Sequence, residues 1–379
     1  MFGRLKNKVV DVLQNQLMRF KAKEADRKYQ DKIRTSYTKL SVKKPLSKEQ
    51  CKEIQDFYVR TIGHTVPIDW HQYFYSRTGI FSKKYIPTSE YKNNIIGRLN
   101  IYPFHLAYND KNMTDVTLPR TPQPKIFVKN MSGYFYSEGI AITREEAIAV
   151  CGNLGEVIIK PSLTGRGVGV RKLVFRDGLV DDGDKTVEDL FDEYKVDFLV
   201  QEVICQHSEM AALNPSSINT IRFVTYRSGM EVKVVYSVIR IGRKGMCVDN
   251  ESAGGISAVI NPDGTIGKYA YGAPGVDMVE YTDTGVQLDG YKVPSFEKAA
   301  ELVKFSHMQL PYFNLIGWDI AIRKDGSPIM IELNLNPDLS QSANGPAFGE
   351  YTEEILKDAM GRKNTWTPLT TRLMNKRNK

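Results

Sequence analysis

The stretch GWDIAIRKDGSPIMIELNLNP, residues 317–337, decides the fold class of this chain. Two short apolar runs flank the dipeptide Asp325-Gly326, a combination that favours a tight β-hairpin turn. If the turn holds two residues, Lys324 faces Ser327 and the two runs pair as antiparallel strands. The stretch therefore predicts a hairpin whose register can be counted outward from its turn.

That register predicts that polar and apolar side chains separate onto two faces. Counting outward places Asp319 directly opposite Glu332, with Asn334 on the same face. Opposed Cβ atoms lie only about 5 Å apart, so two carboxylates there repel unless a positive charge lies between them. The other face is predicted to be apolar and to consist of Trp318, Ile320, Ile322, Ile329, Ile331 and Leu333.

A hard divalent cation would relieve the repulsion between these carboxylates. Mg²⁺ prefers carboxylate and amide oxygens, takes few protein ligands and completes its shell with water and nucleotide phosphates. Mn²⁺ accepts the same ligand types. We therefore predict a Mg²⁺ site, with Mn²⁺ as an alternative, held by Asp319, Glu332 and Asn334. Two other interpretations stay open, a polar face that points into water and a carboxylate pair that shares a proton.

A second informative stretch, EVIIKPSLTGRGVGV at 156–170, predicts a strand, a glycine-containing loop and another strand. Glycines let a backbone wrap around phosphate oxygens, and a nearby lysine adds a point charge. The loop lacks the Gly-Lys-Ser/Thr of a Walker loop and does not open a helix as dinucleotide loops do. An ordinary glycine-bearing hairpin is the alternative. The predicted phosphate contacts are Lys160, Thr164, Gly165 and Gly167.

Two arginines and one apolar strand complete the candidate site. FLVQEVI at 198–204 predicts a strand whose edge can pair with an adenine ring, and an ordinary core strand is the alternative. Arg222 and Arg240 lie within apolar β-rich runs, where an unpaired charge is costly to bury. Each should therefore meet a phosphate or a protein carboxylate, and we predict phosphate because phosphoryl chemistry needs such charge.

The composition is that of an ordinary globular protein. The 379 residues, 41% hydrophobic and 25% charged, suggest two to three domains. No C-x-x-C pair occurs, so we expect reduced thiols and a reducing compartment. We predict that the cysteines are core residues: Cys51, Cys151, Cys205 and Cys247.

The character of the sequence changes at TLPRTPQPK, residues 117–125, whose three prolines favour a domain boundary. Helical and aromatic segments precede it. Short β-rich runs follow, separated by Gly-containing turns and by three predicted helices, one of which begins with a capping box at Thr143 and Glu146. This arrangement predicts an α+β fold. The predicted parts are a basic helical arm at 1–45, a helical aromatic domain at 46–125, a small subdomain at 126–205 and a large subdomain at 206–379.

The N-terminal arm carries the excess positive charge of the chain. Residues 1–44 hold 13 Lys and Arg against 4 Asp and Glu, a net charge of +9 against +8 for the whole chain. Its apolar residues recur at helical spacing, which predicts a basic amphipathic helix that lies on an anionic membrane or packs against the protein. No nucleic-acid module accompanies it. Without a signal sequence or a long apolar run, we expect a cytoplasmic protein, with peripheral contact at the inner membrane face as the alternative.

In chain order the elements are Lys160 with its glycine loop, Gln201-Glu202, the two arginines, Asn250 with Gly254-Gly255, and the carboxylate hairpin. This order resembles the ATP-grasp superfamily, which includes D-alanine:D-alanine ligase, glutathione synthetase and ribosomal-protein glutamate ligases. More closely, NTIRFVTY, GWDIAI, IELNLNP and the upstream WHQYFYSRTGIF resemble the sugar-transfer-associated ATP-grasp branch found with polysaccharide biosynthesis. The resemblance covers about residues 70–350.

The resemblance implies that ATP lies between two α+β subdomains. It implies contacts to phosphates or adenine from Lys129 and Lys160, and an adenine edge held by Gln201, Glu202, Val203 and Ile204. For the ribose it implies Glu209, with His207 as the alternative. The implied acyl-phosphate residues are Asn250, Gly254 and Gly255.

The chain departs from the D-alanine ligases at one place. Those relatives carry an arginine two residues before the first metal aspartate, where this chain has Gly317. Arg222 and Arg240 must then supply the positive charge on the transferring phosphoryl group.

The function implied is an ATP-dependent ligase that activates a carboxylate as an acyl phosphate and passes it to an amine. Its expected substrates are small-molecule carboxylates and amines, for example an amino acid or amine joined to a sugar acid during capsule or O-antigen synthesis. An ATP-grasp kinase acting on a sugar or polyol hydroxyl and a non-catalytic polysaccharide-assembly adaptor are the alternatives.

Overall fold

The computed structural model describes residues 24–366 apart from 166, 183, 244, 246–248, 250–253 and 274–277. A helix over 24–38 opens the described chain. Ser47 and Gln50 cap the next helix reciprocally, and Gly63 ends it in the left-handed conformation. The helical N-terminal region continues through Lys48–Ile62, Asp69–Thr78, Thr88–Glu90, Ile96–Leu99, His105–Tyr108 and Thr114–Thr117, with a π-helix at Tyr91–Ile95 and 3₁₀ turns at Tyr102–Phe104 and Lys111–Met113.

The first sheet has seven antiparallel strands in the order β3-β2-β1-β7-β4-β5-β6. Its core packs against two helices, Arg144–Cys151 and Val187–Tyr194, which begin at the capping boxes of Thr143 and Thr186. The strands are β1 Ile126–Met131, β2 Tyr134–Ser137, β3 Ile140–Ile142, β4 Gly155–Pro161, β5 Arg171–Arg176, β6 Leu179–Val180 and β7 Phe198–Glu202.

The second sheet has six antiparallel strands in the order β11-β10-β9-β8-β12-β13. These strands are β8 Thr220–Ser228, β9 Glu231–Ile241, β10 Ile256–Ile260, β11 Ile266–Tyr271, β12 Leu315–Ile322 and β13 Pro328–Asn334. The helices that accompany them are Ser208–Leu213, Phe296–His307, Gln341–Asn344 and Thr352–Gly361, with a 3₁₀ turn at Gly349–Tyr351.

The two faces of the six-stranded sheet have different neighbours. One face forms a core with the helix Phe296–His307 and includes Ile221, Phe223 and Trp318. On the other face, Val224 and its neighbours pack against the N-terminal helices and Thr352–Gly361. The rest of that second face turns toward the seven-stranded sheet. We call this part the cleft face; it includes Thr220, Arg222, Asp319, Ala321, Ile329 and Glu332.

The turn of the hairpin β12–β13 differs from the prediction, although its two carboxylates pair as predicted. Arg323 and Ser327, rather than Lys324 and Ser327, close the turn, so the loop holds three residues and ends at Gly326 with φ +80°. A register shift between Asp319 and Ile320 then restores the predicted count. Asp319 therefore faces Glu332, as predicted.

The same register shift corrects the predicted apolar face. Ile329 and the partly buried Ile331 pack with Ile204 and Ala321 on the cleft face, whereas Met330 enters the opposite core. The reason is that Ile331 is the extra residue of the bulge, so Ile331 and Glu332 turn toward the same side. Strict alternation from a two-residue turn could not predict this.

The N-terminal arm can be compared with its prediction only in part. Residues 1–23 lie outside the described residues, and so does the membrane-facing surface predicted for them. Ile33 of the helix over 24–38 packs in an aromatic cluster with Trp70 and Tyr85. None of the helices among the described residues combines the length and the apolar character that a membrane span requires. The four predicted parts of the chain, and the three boundaries between them, stay predictions.

Candidate nucleotide site

A cleft of about 380 Å³ separates the seven-stranded sheet from the hairpin β12–β13. The seven-stranded sheet contributes the end of β4 and the segment that follows β7, whereas the six-stranded sheet contributes its cleft face. Most of the predicted site residues meet here although they are distant in sequence. Those that line the cleft are Lys160, Thr164, Gly167, Gln201, Glu202, Val203, Ile204, Arg240, Asp319 and Glu332.

Lys160 is the buried cation of the seven-stranded sheet. It lies near the end of β4, and its side chain lines the cleft with only 7% of the residue exposed. Burial, and to a smaller extent the charge of Lys111, lower the pKa of its ammonium to about 8 against the opposing effect of Glu332. Within the described chain this ammonium has no hydrogen bond or ion pair, so an anion in the cleft would stabilise its charge.

The glycine loop after β4 is held by side chains at both ends. Thr164 donates its hydroxyl to the carbonyl of Val168 at 3.0 Å. Gly169 has φ +72°, and a Cβ there would lie 2.8 Å from Cγ of Pro161, so only glycine suits this close approach. Gly167 lines the cleft, whereas Gly165 does not.

Lys111 belongs to the site although no pattern in the amino-acid sequence identified it as a site residue. From a 3₁₀ turn of the N-terminal region, Nζ donates to the carbonyl of Thr164 at 2.6 Å and lies 3.4 Å from Oε1 of Glu332. It therefore joins the glycine loop to the carboxylate hairpin. A single lysine in a polar stretch carries no signal of this role, because only the packing of the N-terminal region brings it to the cleft.

The segment after β7 forms an apolar floor and a free backbone edge. Ile204 packs with Ala321 and Ile329, and Ile218 and Ile331 cover this cluster. Among the described residues, none is paired in strand register with Val203 or Ile204, which follow the end of β7. A flat apolar ring with hydrogen-bonding edges, such as a purine, matches this combination of surface and edge.

The two predicted arginines meet a protein carboxylate rather than open space. Arg222 is the register partner of Asp319 on the adjacent strand, and its guanidinium donates twice to that carboxylate, Nη2 at 2.7 Å from Oδ2. Arg240 adds Nη1 at 3.1 Å from Oδ2. Burial alone would raise the pKa of Asp319, but the two arginines outweigh it and hold the pKa below its usual value. Of the two predicted partners, the carboxylate is the one the structure contains.

Gly317 explains how Arg222 reaches this position. It lies on β12 beside Arg222, and a Cβ at Gly317 would lie 3.6 Å from Cδ of Arg222 and 2.8 Å from Cβ of Pro337. There is no room for a side chain at Gly317. The cation enters instead from the neighbouring strand β8.

Several predicted residues lie outside the cleft lining. Lys129 lies on the same face of the seven-stranded sheet as Lys160. Its Nζ, however, donates to both carboxylate oxygens of Asp115, each at 2.6 Å. The side chain of His207 caps the helix Ser208–Leu213 by accepting a hydrogen bond from the backbone N–H of Glu209. Neither of these two candidates for the ribose lines the cleft. Gly254 and Gly255 precede β10, and Asn250 lies outside the described residues.

Comparison with known protein families identifies the family of this chain. Residues 90–357 match the profile of the family described as sugar-transfer associated ATP-grasp. The chain belongs to this family. Two antiparallel sheets with a cleft between them are the ATP-grasp fold, so the predicted α+β class and the family resemblance are confirmed. A search of curated proteins found no match.

Solved ATP-grasp structures are similar to this family member at low identity. D-alanine–D-alanine ligase from Bacillus anthracis has a TM-score of 0.38 and 12% identity, covering 72% of this chain and 70% of that one. An L-amino acid ligase from Bacillus licheniformis has a TM-score of 0.38 and 13% identity, and the match covers 70% of this chain and 50% of that one. Biotin carboxylase from Campylobacter jejuni has a TM-score of 0.40 and 14% identity, and the match covers 67% of this chain and 46% of that one. Likenesses at this level say nothing about substrates or activity.

The ATP-grasp family implies Mg²⁺, and the carboxylate hairpin suits it. Asp319 accepts three hydrogen bonds, which leaves capacity on Oδ1, and Glu332 lies opposite it. Nδ2 of Asn334 is buried without a partner in the described chain, so its amide is not committed elsewhere. Among all the residues that the structure describes, no cluster of three or more His, Cys, Asp or Glu side chains could hold a metal ion. A site here would therefore need the Asn334 amide oxygen and nucleotide phosphates.

Proposed function

We propose that this ATP-grasp protein is an ATP-dependent, Mg²⁺-requiring ligase that joins a carboxylate to an amine through an acyl phosphate. One observation carries the proposal: Lys160, the glycine loop, the free edge at Val203 and Ile204, and the Asp319–Glu332 pair all line a single cleft. Family membership supports the use of ATP.

Each part of the cleft suits one part of ATP. The base packs on the apolar floor around Ile204 and Ile331, and its edge pairs with the free backbone. The phosphates extend toward Lys160 and Lys111 and the glycine loop. Because both lysines are largely buried, their charges act in a medium of low dielectric constant.

The chemistry needs charge stabilisation more than covalent participation by the protein. Mg²⁺ held by Asp319, Glu332 and Asn334 would neutralise charge on the phosphates. An oxygen of the substrate carboxylate attacks the γ-phosphorus in line, the bond to the β–γ bridging oxygen breaks, and ADP leaves. Arg240, which lines the cleft, stabilises the charge that develops on the transferring group.

The second half-reaction forms the amide. The amine nitrogen attacks the carbonyl carbon of the acyl phosphate, the bond from that carbon to the phosphate oxygen breaks, and inorganic phosphate leaves. The amine proton passes to solvent or to the leaving phosphate. Closure of the glycine loop near Gly167 would keep water from the acyl phosphate.

We propose that the acid or amine is sugar-linked, since the family is described as sugar-transfer associated. The N-terminal helices support this part of the proposal, because they share a core with Val238, the register partner of Arg222 on β9. Substrates reaching Arg222 from that side would contact this aromatic region. A small-molecule carboxylate and amine remain the proposed partners.

Hydroxylamine trapping tests the reaction type. The protein is incubated with ATP, Mg²⁺ and a panel of uronic and amino acids, with and without hydroxylamine. A ligase produces an acyl hydroxamate with ADP and phosphate, and Lys160→Ala abolishes this product. Lys298→Ala, an exposed lysine on the helix Phe296–His307, is the matched control and should leave the yield unchanged. A phosphorylated sugar without hydroxamate would show a kinase and refute the ligase.

We also propose that the basic N-terminal arm contacts anionic membranes, because residues 1–44 carry a net charge of +9. Each engaged basic residue contributes about 1 kcal/mol near such a surface, and salt weakens the effect. Sedimentation with phosphatidylserine vesicles, with and without residues 1–30, tests it. No binding by the full chain at low salt would refute it.

A further inference from the structure

Asn100 is a buried amide of the N-terminal region that binds the backbone at both ends of the carboxylate hairpin. It follows the helix Ile96–Leu99 and is 3% exposed. Its Oδ1 accepts the backbone N–H groups of Asn314 and Leu315 at 2.9 and 3.0 Å. Its Nδ2 donates to the carbonyls of Leu315 and Leu335 at 2.8 and 2.6 Å. These four hydrogen bonds use the full capacity of the amide.

The contact with Leu335 lies where the pairing of β12 with β13 ends. Gly317 and Asn334, the predicted third metal ligand, form the last register pair, and among the described residues no further pair joins the two strands beyond it. The amide of Asn100 bridges the carbonyls of Leu315 and Leu335 at this point instead. Because chain ends without cross-strand hydrogen bonds fray readily, Asn100 holds the strand end that carries Asn334.

A lysine of the same region holds the next residue. Lys92 lies in the π-helix Tyr91–Ile95, and its Nζ donates to Oδ1 of Asn336 at 2.8 Å and to the carbonyl of that residue at 3.2 Å. The same ammonium lies 3.1 Å from Oδ1 of Asp338. The N-terminal region therefore holds the two residues that directly follow Asn334.

The backbone of Asn100 is itself fixed by segments that are distant in sequence. It forms a β-bridge with Phe313, and its carbonyl accepts the hydroxyl of Thr365 at 3.0 Å. The N–H of Thr365 donates to the carbonyl of Gly97 at 2.7 Å. A Cβ at Gly97 would lie 2.5 Å from Cβ of Trp366, so this packing leaves no room for a side chain there. The amide is therefore mounted on a rigid support.

The three predicted metal ligands differ in how they are held. Arg222 and Arg240 hold the carboxylate of Asp319 directly. In contrast, Nδ2 of Asn334 is buried without a partner within the described chain. The place of this amide is therefore set by the backbone that carries it. Mg²⁺ demands nearly ideal octahedral geometry, so a small displacement of that backbone weakens the metal site.

We infer that Asn100 is a positioning residue of the proposed metal site, which holds the end of β13 so that Asn334 can join Asp319 and Glu332 as a ligand. This inference rests on the proposed function, because it requires that a nucleotide and a divalent cation occupy the cleft. The N-terminal region then tunes metal affinity without contributing a ligand. Lys92 acts in the same way through Asn336, with a smaller effect because it holds a residue further from the ligand.

Calorimetric titration with ADP, once in EDTA and once with excess Mn²⁺, tests the inference. Groups that orient metal ligands typically contribute about 10- to 100-fold in metal affinity. We expect Asn100→Ala to bind ADP about tenfold more weakly than the native protein with Mn²⁺, but within about twofold of it in EDTA. A merely structural role would not confine the loss to the Mn²⁺ titration.

Asn314→Ala is the matched control. It makes the same exchange of asparagine for alanine and removes the hydrogen bond from Nδ2 to the carbonyl of Arg227, but it keeps the backbone contact with Asn100. It should lower the Tm and leave both ADP affinities at their native values. Thermal melting of each variant verifies that the titrated protein is folded.

Lys92→Met supplies a second variant and separates geometry from electrostatics. Loss of a positive charge near the site would by itself strengthen the binding of a cation, so a loss of about two- to threefold with Mn²⁺ supports positioning. If Asn100→Ala does not fold, this variant decides, and a native or higher affinity with Mn²⁺ overturns the inference.

Two further outcomes overturn the inference. Asn100→Ala could lose the same factor in EDTA and with Mn²⁺, which would show a general distortion of the cleft, or it could keep the native affinity in both titrations. Failure of the proposed function has a different signature. In that case the native protein itself binds no ADP, or Mn²⁺ does not raise its affinity for ADP.

Discussion

The two walls of the cleft hold their positive charge in opposite ways. On the seven-stranded sheet, Lys160 is buried without a carboxylate partner within the described chain, and burial lowers the pKa of its ammonium to about 8. On the six-stranded sheet, Arg222 is largely buried, but Asp319 outweighs burial and raises the pKa of its guanidinium. The lysine wall therefore gains most from an incoming anion, whereas the arginine wall is already neutralised and positioned.

The difference predicts that the arginine wall contributes to stability and the lysine wall to binding. A buried ion pair that loses one partner leaves an uncompensated charge, which is strongly destabilising. A buried lysine without a partner costs stability in the folded protein. Substitutions on the two walls should therefore have opposite effects on the free energy of unfolding.

The largest expected effect is that of Arg222→Met on stability. Asp319 would keep only Arg240, so we expect a loss of about 3–5 kcal/mol in the free energy of unfolding. Urea denaturation measures it. The double variant Arg222→Met/Asp319→Leu should recover much of the loss, because both charges are then absent. A single variant as stable as the native protein would show that the pair does not stabilise the arginine wall.

Lys160→Ala should weaken ATP binding without destabilising the fold. We expect ATP affinity to fall about 100-fold or more, the value of two to three charge-assisted hydrogen bonds or one buried cation, with the fold intact. Calorimetry with ATP and Mg²⁺ measures the affinity, and thermal melting should show an unchanged or higher Tm. Lys298→Ala is the control. Unchanged ATP affinity in Lys160→Ala would remove this lysine from the site.

Gly317→Ala tests the tight packing of the arginine wall. The new Cβ would lie 2.8 Å from Cβ of Pro337, so β12 or the segment after β13 must shift. Such overpacking typically costs about 1–3 kcal/mol. Urea denaturation measures the cost, with Gly361→Ala as the control because a Cβ there meets nothing within 4 Å. Equal stability of the two variants would contradict the close approach.

The smallest effect is a dependence of ATP binding on pH. The pKa of Lys160 is about 8 in the folded protein and 10.5 for an ordinary lysine, so the folded state binds fewer protons between these values. Stability should therefore rise with pH across this window, as the cost of the buried charge disappears. ATP favours the charged ammonium, so its affinity should be full below pH 8 and fall above it. Titrations from pH 7 to 9.5 should show this fall in the native protein and a smaller one in Lys160→Ala.

Local patterns were sufficient for much of the fold. The capping box at Thr143 and the β-rich runs that form β4, β5, β7, β8, β9, β12 and β13 were recoverable because their signals lie within a few residues. The first hairpins of the seven-stranded sheet were not predicted. Their strands are short and partly exposed, so they lack the apolar runs that mark buried strands.

The candidate site was predictable where a strand register carries the information. Asp319 faces Glu332 because hairpin pairing is a local count, and two errors in that count, at the turn and at the bulge, cancelled. The cleft position of Ile331 was not predictable, because a bulge has no reliable signal in a single sequence. Cys205, predicted to be buried, is exposed at the cleft.

The sequence by itself determined which residue types are available in which order, and that order was enough for the family and the fold. The tertiary structure alone decided which of the cleft's side chains contact one another: Arg222 with Asp319, Lys111 with Glu332, and Thr220 with Asp249. Each of these contacts joins segments far apart in the chain. Periodicity and turn chemistry act over a few residues, whereas these contacts depend on which strands become neighbours and on how the N-terminal region packs against them.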